Sequence, residues 1–98
     1  MARHRWEYPN EFSLYEEMLA EGHARPEFEV VREVDVGRGG FNGAGHAWEV
    51  YDRANGVRCL QSYSTIVSVV RGGRAVDLGY WSRTTARHQS RFRALVAA

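Results

Sequence analysis

The chain has 98 residues, of which 44% are hydrophobic and 26% charged, so we expect one globular domain spanning residues 1–98. The single cysteine excludes an internal disulfide, and no apolar run approaches the roughly 20 residues of a transmembrane helix. The chain has no lysine, which excludes Schiff-base chemistry and the usual phosphate-binding loop. The charge is unevenly distributed, because residues 1–52 carry 5 arginines and 11 acidic residues, whereas residues 53–98 carry 8 arginines and one acidic residue, Asp77. This asymmetry indicates either a basic binding surface or attraction between the two halves of the chain.

The first predicted element is a short acidic helix near the N-terminus. Ser13 and Glu16 have the spacing of a capping box, in which each side chain bonds the backbone amide of the other residue. Gly22 is expected to end the helix, because glycine readily takes the left-handed conformation that follows a last helical turn. The helix is acidic because it also carries Glu17 and Glu21.

A strand and a glycine-rich segment follow Pro26. Apolar and acidic residues alternate after this proline, which predicts a strand with one face made of Phe28, Val30, Val34 and Val36. Residues 37–45 contain five glycines, but their spacing fits neither the dinucleotide-binding fingerprint nor the phosphate loop. This segment is therefore predicted to be a flexible connection.

The next part of the chain predicts an antiparallel meander of about four strands. Asn55-Gly56 and Gly72-Gly73 are typical two-residue hairpin turns, because both central positions of such turns need a positive φ. The first of these turns places Trp48 opposite Tyr63. The second continues the same alternation through the last two strands.

The two turns together assign one face of the sheet as apolar. The second turn places Val69 opposite Val76, and the shared face then collects Trp48, Val50, Tyr63, Thr65, Val67, Val69, Val76, Leu78 and Tyr80. We expect helices to cover this face alone. The predicted core consists of Val67, Val69, Val76, Leu78 and Phe92, buried together.

The last predicted element is a helix from about Ser82 to Ala97. At about 100° per residue, Thr85, His88 and Phe92 fall on one stripe of this helix. We expect this stripe to pack on the sheet, because a helix of a small domain buries its apolar side.

Arginine recurs every four residues on the other flank of this helix, at Arg83, Arg87 and Arg91. Together with Arg93, these residues are the predicted partner-binding surface, because a guanidinium group binds phosphate bidentately. Two alternatives stay open at this point. The arginines are merely solvated, or they dock onto the acidic N-terminal helix.

His88 is the candidate catalytic residue, but its position favours a structural role. A histidine beside arginines would suit a small ribonuclease, with His46 as a second histidine. His88 nevertheless lies on the apolar stripe, where an imidazole usually bonds a neighbouring hydroxyl group. No histidine pair has metal-ligand spacing and Cys59 stands alone, so we expect an inert thiol and neither a metal nor a cofactor.

Two segments carry a resemblance to a known family: Gln61-Ser62-Tyr63-Ser64-Thr65-Ile66-Val67, and Tyr80-Trp81-Ser82-Arg83-Thr84-Thr85 followed by His88 and Phe92. They resemble a family of small uncharacterised proteins from phages, prophages and plasmids. The resemblance covers residues 46–93 and implies a shared core and a mobile-element origin, without an assigned activity. A structural role accounts for the helix motif, because the hydroxyl groups of Ser82, Thr84 and Thr85 can cap free amides while His88 bonds back to that turn.

These observations predict an α+β domain in which the meander packs against the short acidic helix and the arginine-rich C-terminal helix. We expect a non-enzymatic interaction module of a phage or other mobile element in the cytoplasm of a bacterial host, with no membrane contact. Its expected partner is nucleic acid or a host protein, and inhibition of host defence is one such role. The alternative is a toxin-type ribonuclease that uses His88 and the arginines.

Overall fold

A computed structural model describes residues 6–34 and 46–98 of the chain. The elements within these residues are α1 Ser13–Met18, β1 Phe28–Glu33, β2 Ala47–Asp52, β3 Val57–Ser62, β4 Thr65–Arg71, β5 Arg74–Asp77 and α2 Arg83–Ala97. The strands form one antiparallel sheet in chain order. The predicted α+β class is confirmed, with five strands rather than about four because β1 joins the sheet beside β2. The predicted glycine-rich connection at 37–45 lies outside the described residues.

α1 is shorter than predicted and has no capping box. It begins at Ser13 and ends at Met18, and the Ser13 hydroxyl donates to the Glu11 carboxylate 3.2 Å away instead of capping a helix amide. Gly22 lies in a later turn with a φ of +82°. Because so short a helix is unstable by itself, its place depends on Tyr15, its one buried side chain.

The register between β2 and β3 differs from the prediction. The strands join through a four-residue turn at 53–56, so Trp48 lies opposite Gln61 and not opposite Tyr63. The cause is the Asp52 carboxylate, which accepts hydrogen bonds from two backbone amides of the turn at 3.0 and 3.3 Å. These bonds stabilise the longer turn over the two-residue alternative.

The β4–β5 hairpin forms as predicted, whereas a bulge in β4 changes the assignment of faces. Both turn glycines have positive φ angles, and Val69 lies opposite Val76. The pairing of β4 with β3 shifts by one residue at Val67, which moves that side chain to the other side of the sheet. Val67 joins Phe92 in one cluster while Val69 lies in another. The predicted common core is therefore wrong, and Val76 is exposed while Leu78 is half-buried.

The sheet is covered on both faces, whereas the pattern predicted helices on one. We name the sides the α1 face and the α2 face after the helices that cover them. The buried apolar residues of the α1 face are Tyr15, Phe28, Trp48, Val50, Cys59, Ile66 and Val69. Those of the α2 face are Val34, Ala47, Leu60, Val67 and Phe92. Consecutive residues of β2, β3 and β4 are buried, so both sides of these central strands require a cover.

Candidate functional site

An N-cap and a row of buried side chains hold α2 on the sheet. The Ser82 hydroxyl accepts a hydrogen bond from the Thr85 backbone amide at 3.1 Å, which satisfies one free amide of the first turn. Thr84, which shares the helix-opening motif, is half-buried. The inward side of the helix consists of Thr85, His88, Gln89 and Phe92, all buried. These contacts set the rotation of α2 about its axis and hence the direction of its outward side.

A network of polar side chains lies beneath α2. The Ser62 hydroxyl is hydrogen-bonded to the Thr85 hydroxyl at 2.9 Å and to Nδ1 of His88 at 2.8 Å. The Gln89 side-chain amide donates to two backbone carbonyl oxygens at 3.1 and 3.2 Å. His88 is fully buried. The motif suggested a bond from His88 to the first turn of its own helix, and in the structure Ser62 of β3 bonds both His88 and Thr85 of that turn.

The outward side of α2 carries Arg83, Arg87 and Arg91, which we name the arginine face. All three side chains are exposed, and Arg87 and Arg91 line a shallow depression with Ser90 and Ala94. Arg83 and Arg87 form no salt bridge with any residue that the structure describes. Positions four residues apart on a helix are separated by about 6 Å along its axis, so the guanidinium groups follow one line.

Arg93, the fourth predicted partner-binding arginine, lies apart from the arginine face. Its guanidinium group forms a salt bridge with Asp77 at the end of β5. Asp77 also accepts a hydrogen bond from the Ser68 hydroxyl at 2.9 Å. Arg93 therefore ties α2 to the edge of the sheet.

The acidic helix does not dock onto the arginine face. α1 packs on one side of the sheet and α2 on the other. Glu16 of α1 instead pairs with His23 at 3.6 Å. The alternative in which the acidic helix occupies the arginines is therefore wrong for the part of the chain that the structure describes.

Two arginines elsewhere in the sheet have a clear structural role. Arg32 in β1 and Arg58 in β3 both bond the carboxylate of Glu49 in β2, with Nε to oxygen distances of 2.9 and 2.8 Å. Glu49 is buried, so both arginines compensate a charge inside the fold. Arg83 and Arg87 differ from this pair, because they have no carboxylate partner among the described residues.

Aromatic rings are exposed at the end of the sheet where α2 begins. Tyr80 is 74% exposed, Trp81 is 37% exposed, and Tyr63 in the β3–β4 turn is 46% exposed. The Tyr63 ring stacks on the His46 ring, with centroids 4.7 Å apart and planes inclined by 19°. The pattern predicted that Tyr63 and Tyr80 face inward, which is wrong. Tyr63 lies in a turn, and β5 ends at Asp77, before Tyr80.

A buried carboxylate, Asp52, lies on the α1 face. It accepts hydrogen bonds from the Tyr15 hydroxyl, from the Asn55 side chain at 2.8 Å, and from three backbone amides. Burial alone would raise the pKa of Asp52, but these hydrogen bonds outweigh burial and hold the pKa below its ordinary value of 3.8. Burial raises the pKa of both the Tyr15 hydroxyl and the Cys59 thiol. Cys59 is accordingly a poor nucleophile at neutral pH.

The described residues contain neither a metal-binding cluster nor a membrane-spanning helix. Among residues 6–34 and 46–98, no group of three or more His, Cys, Asp or Glu side chains is arranged to hold a metal ion. Neither of the helices in these ranges combines the length and apolar character needed to cross a bilayer.

Comparison with known proteins identifies a family that covers more than half of the chain. A family model described as a family of unknown function (DUF8033) matches residues 41–97. No curated protein and no solved structure matches the chain. The matched segment contains β2 to β5 and α2, and so includes the arginine face and the polar network beneath it, whereas α1 and β1 precede the match. A match to an uncharacterised family agrees with the expectation from the sequence.

Proposed function

The chain belongs to the family of unknown function DUF8033, and we propose that it is a non-enzymatic interaction module whose arginine face binds an acidic partner. The main support is the exposure of Arg83 and Arg87, which have no carboxylate partner among the described residues. The opposite side of the same helix is fixed to the sheet by buried contacts. A fixed helix keeps the backbone of these arginines in place, so only their side chains are ordered on binding, and guanidinium groups attract phosphate and carboxylate.

The proposed setting is the cytoplasm of a bacterial cell that carries a phage or another mobile element. The resemblance of the strand and helix motifs to phage, prophage and plasmid proteins supports this origin. In such a cell the acidic partner is a host component, either nucleic acid or an acidic surface of a host protein. Blocking a host defence system is one outcome of such binding.

A ribonuclease is less well supported. A general base must reach the proton that it removes, whereas His88 is fully buried and bonds Ser62. His46, the second candidate, is half-buried and stacks with Tyr63. Cleavage of RNA by the purified protein, lost in a folded His88→Gln variant, would favour the enzyme over the interaction module.

Chromatography on heparin, a polyanion, tests the arginine face. The Arg83→Glu/Arg87→Glu double variant should elute at clearly lower salt than the wild type, because attraction is replaced by repulsion. The control is Arg25→Glu/Arg71→Glu, which changes the net charge equally at exposed positions near the other end of the sheet. This control should elute close to the wild type. Equal elution of the two double variants would show that only net charge matters and would overturn the proposal.

A further inference from the structure

The backbone of Tyr63 has a conformation that is unusual for its residue type. Its φ is +56°, and it is the one non-glycine residue with a positive φ in the described part of the chain. The left-handed region favours glycine or asparagine and is unfavourable for a bulky side chain. The surroundings nevertheless maintain it, because the Tyr63 amide donates to the His46 carbonyl at 2.6 Å and its carbonyl accepts from the Gln61 side chain at 2.8 Å.

The Tyr63 side chain is only partly buried in exchange for this backbone cost. Its ring is 46% exposed and rests on the ring of His46. Its centroid is 5.9 Å from that of His88, at an angle of 47°. Glycine would form the turn more easily, so the turn alone does not explain an aromatic residue here. The contacts with His46 and His88 occupy part of the ring, and the exposed part stays accessible to a partner.

The fold brings a second exposed ring and the arginine face to the same end of the sheet. β4 begins and the antiparallel β5 ends beside the turn that contains Tyr63. Tyr80, which is 74% exposed, lies between the end of β5 at Asp77 and the start of α2 at Arg83. The start of α2 lies against the same turn, since Thr85 bonds Ser62 at 2.9 Å. The rings of Tyr63 and Tyr80 therefore share this end with Arg83.

Rings and arginines together match one class of acidic partner. The bases of a single strand expose their flat faces, which stack on aromatic side chains, while its phosphates pair with arginine. A duplex hides these base faces in its stack, so a single strand offers stacking surfaces that a duplex lacks. We propose that the acidic partner is single-stranded nucleic acid, stacked on Tyr63 and Tyr80 and held by Arg83 and Arg87. This inference rests on the proposed function of the arginine face.

Fluorescence anisotropy with labelled oligonucleotides tests the proposal. The probes are a single strand of about 16 nucleotides, within the range of known single-strand sites, and the blunt duplex of the same sequence. The wild type should bind the single strand at least about tenfold more tightly than the duplex at the same salt concentration. Binding should weaken steeply as salt rises, because the arginines release counterions from the phosphates.

Two pairs of variants test the rings. Tyr63→Asn removes a ring and suits the left-handed backbone, and Tyr80→Ser removes an exposed ring, so the latter should fold even if the former does not. Each should weaken single-strand binding about tenfold. The controls Tyr63→Phe and Tyr80→Phe keep the rings and should bind like the wild type. Thermal melting of every variant checks that the fold is intact.

The outcomes separate this inference from the proposed function. Equal binding of single strand and duplex, with no effect of removing the rings, would overturn the single-strand proposal. So would the absence of any oligonucleotide binding. In both cases the proposed binding role of the arginine face would remain supported if heparin elution depended on Arg83 and Arg87. If heparin elution did not depend on them, the proposed function itself would fail.

Discussion

The α1 face of the sheet is closed by several aromatic rings around the Asp52 carboxylate. On the α2 face a single phenylalanine among the described residues, Phe92, packs with aliphatic side chains beside hydroxyl, amide and imidazole groups. On the α1 face, the rings of Phe12 and Tyr15 lie 5.3 and 5.5 Å from that of Phe28. On the α2 face, Ser62 links β3 to α2 through two hydrogen bonds. One sheet thus carries two cores of different chemistry, and each core fixes a different helix.

The two faces also differ in whether their covering helix lies inside the segment that matches the family. The cover of the α1 face comes from residues 6–34, which precede the matched segment at 41–97. The α2 face, with its helix and nearly all of its core, lies inside the match. The proposed binding surface is therefore on the covering helix that belongs to the family segment, while the N-terminal part seals the other side of the sheet.

The largest expected effect is that of Asp52→Ala on the α1 face. The change leaves the buried Tyr15 hydroxyl and several amides without their acceptor, and each unmet buried group costs about 1–3 kcal/mol. We expect the free energy of unfolding, measured in urea, to fall by about 3–5 kcal/mol. Glu29→Ala, which removes an exposed carboxylate paired with Arg53 at 3.9 Å, should cost about 1 kcal/mol or less. Equal losses for the two variants would contradict this role of Asp52.

Loss of the Ser62 hydroxyl on the α2 face should lower the free energy of unfolding by less than Asp52→Ala does. Ser62→Ala leaves the hydroxyl of Thr85 and the ring of His88 without a shared partner, which should cost about 2 kcal/mol. Ser64→Ala in the adjacent turn is the matched control and should cost much less. The comparison uses urea unfolding, and a stability of Ser62→Ala equal to that of the control would show that the network does not hold α2.

The two faces should also differ in their response to acid. The pKa of Asp52 is lower in the folded chain than its ordinary value of 3.8, so its contribution to stability is fully present above that value and is lost as the pH falls through the folded pKa. The free energy of unfolding should therefore fall more steeply with acidification below about pH 5 in the wild type than in Asp52→Asn. Parallel slopes in urea titrations at each pH would contradict the assignment of the acid sensitivity to Asp52.

The smallest effect on stability should come from the arginine face. Arg83→Glu/Arg87→Glu should change the free energy of unfolding by about 0.5 kcal/mol or less, because both side chains are exposed. Arg58→Glu, which places a second carboxylate beside the buried Glu49, should destabilise the fold clearly more. If thermal melting showed the reverse order, the arginine face would be part of the fold and not a surface for a partner.

Local signals in the sequence predict α2 and the last hairpin well. Ser82 caps the helix that its position predicts, and Gly72-Gly73 sets the β4–β5 register. The β2–β3 turn is different, because its length depends on Asp52, which also accepts hydrogen bonds from Tyr15 and Glu27, two residues distant in sequence. The bulge at Val67 has no local signal either, since it follows from the pairing of two strands.

The residues of the candidate site also differ in how well the sequence predicts them. The spacing of Arg83, Arg87 and Arg91 predicts a common face, and all three are exposed, because helical periodicity is local. The exposure of Tyr63 and Tyr80 could not be predicted, because the register error and the expected extension of β5 placed both rings inside. A positive φ at a tyrosine leaves no signal in the residue type itself. Only the structure shows that both rings are exposed at the end of the sheet where α2 begins.

Single-strand binding can be tested directly by titrating the isotope-labelled protein with a single-stranded oligonucleotide and following the amide chemical shifts. The largest shifts should lie at Tyr63 and from Tyr80 to Arg87, at the end of the sheet where α2 begins. The turn at 53–56, at the opposite end, should not change. Shifts concentrated at that turn or along β1, or no shifts at all, would contradict the claim that this end of the molecule binds a single strand.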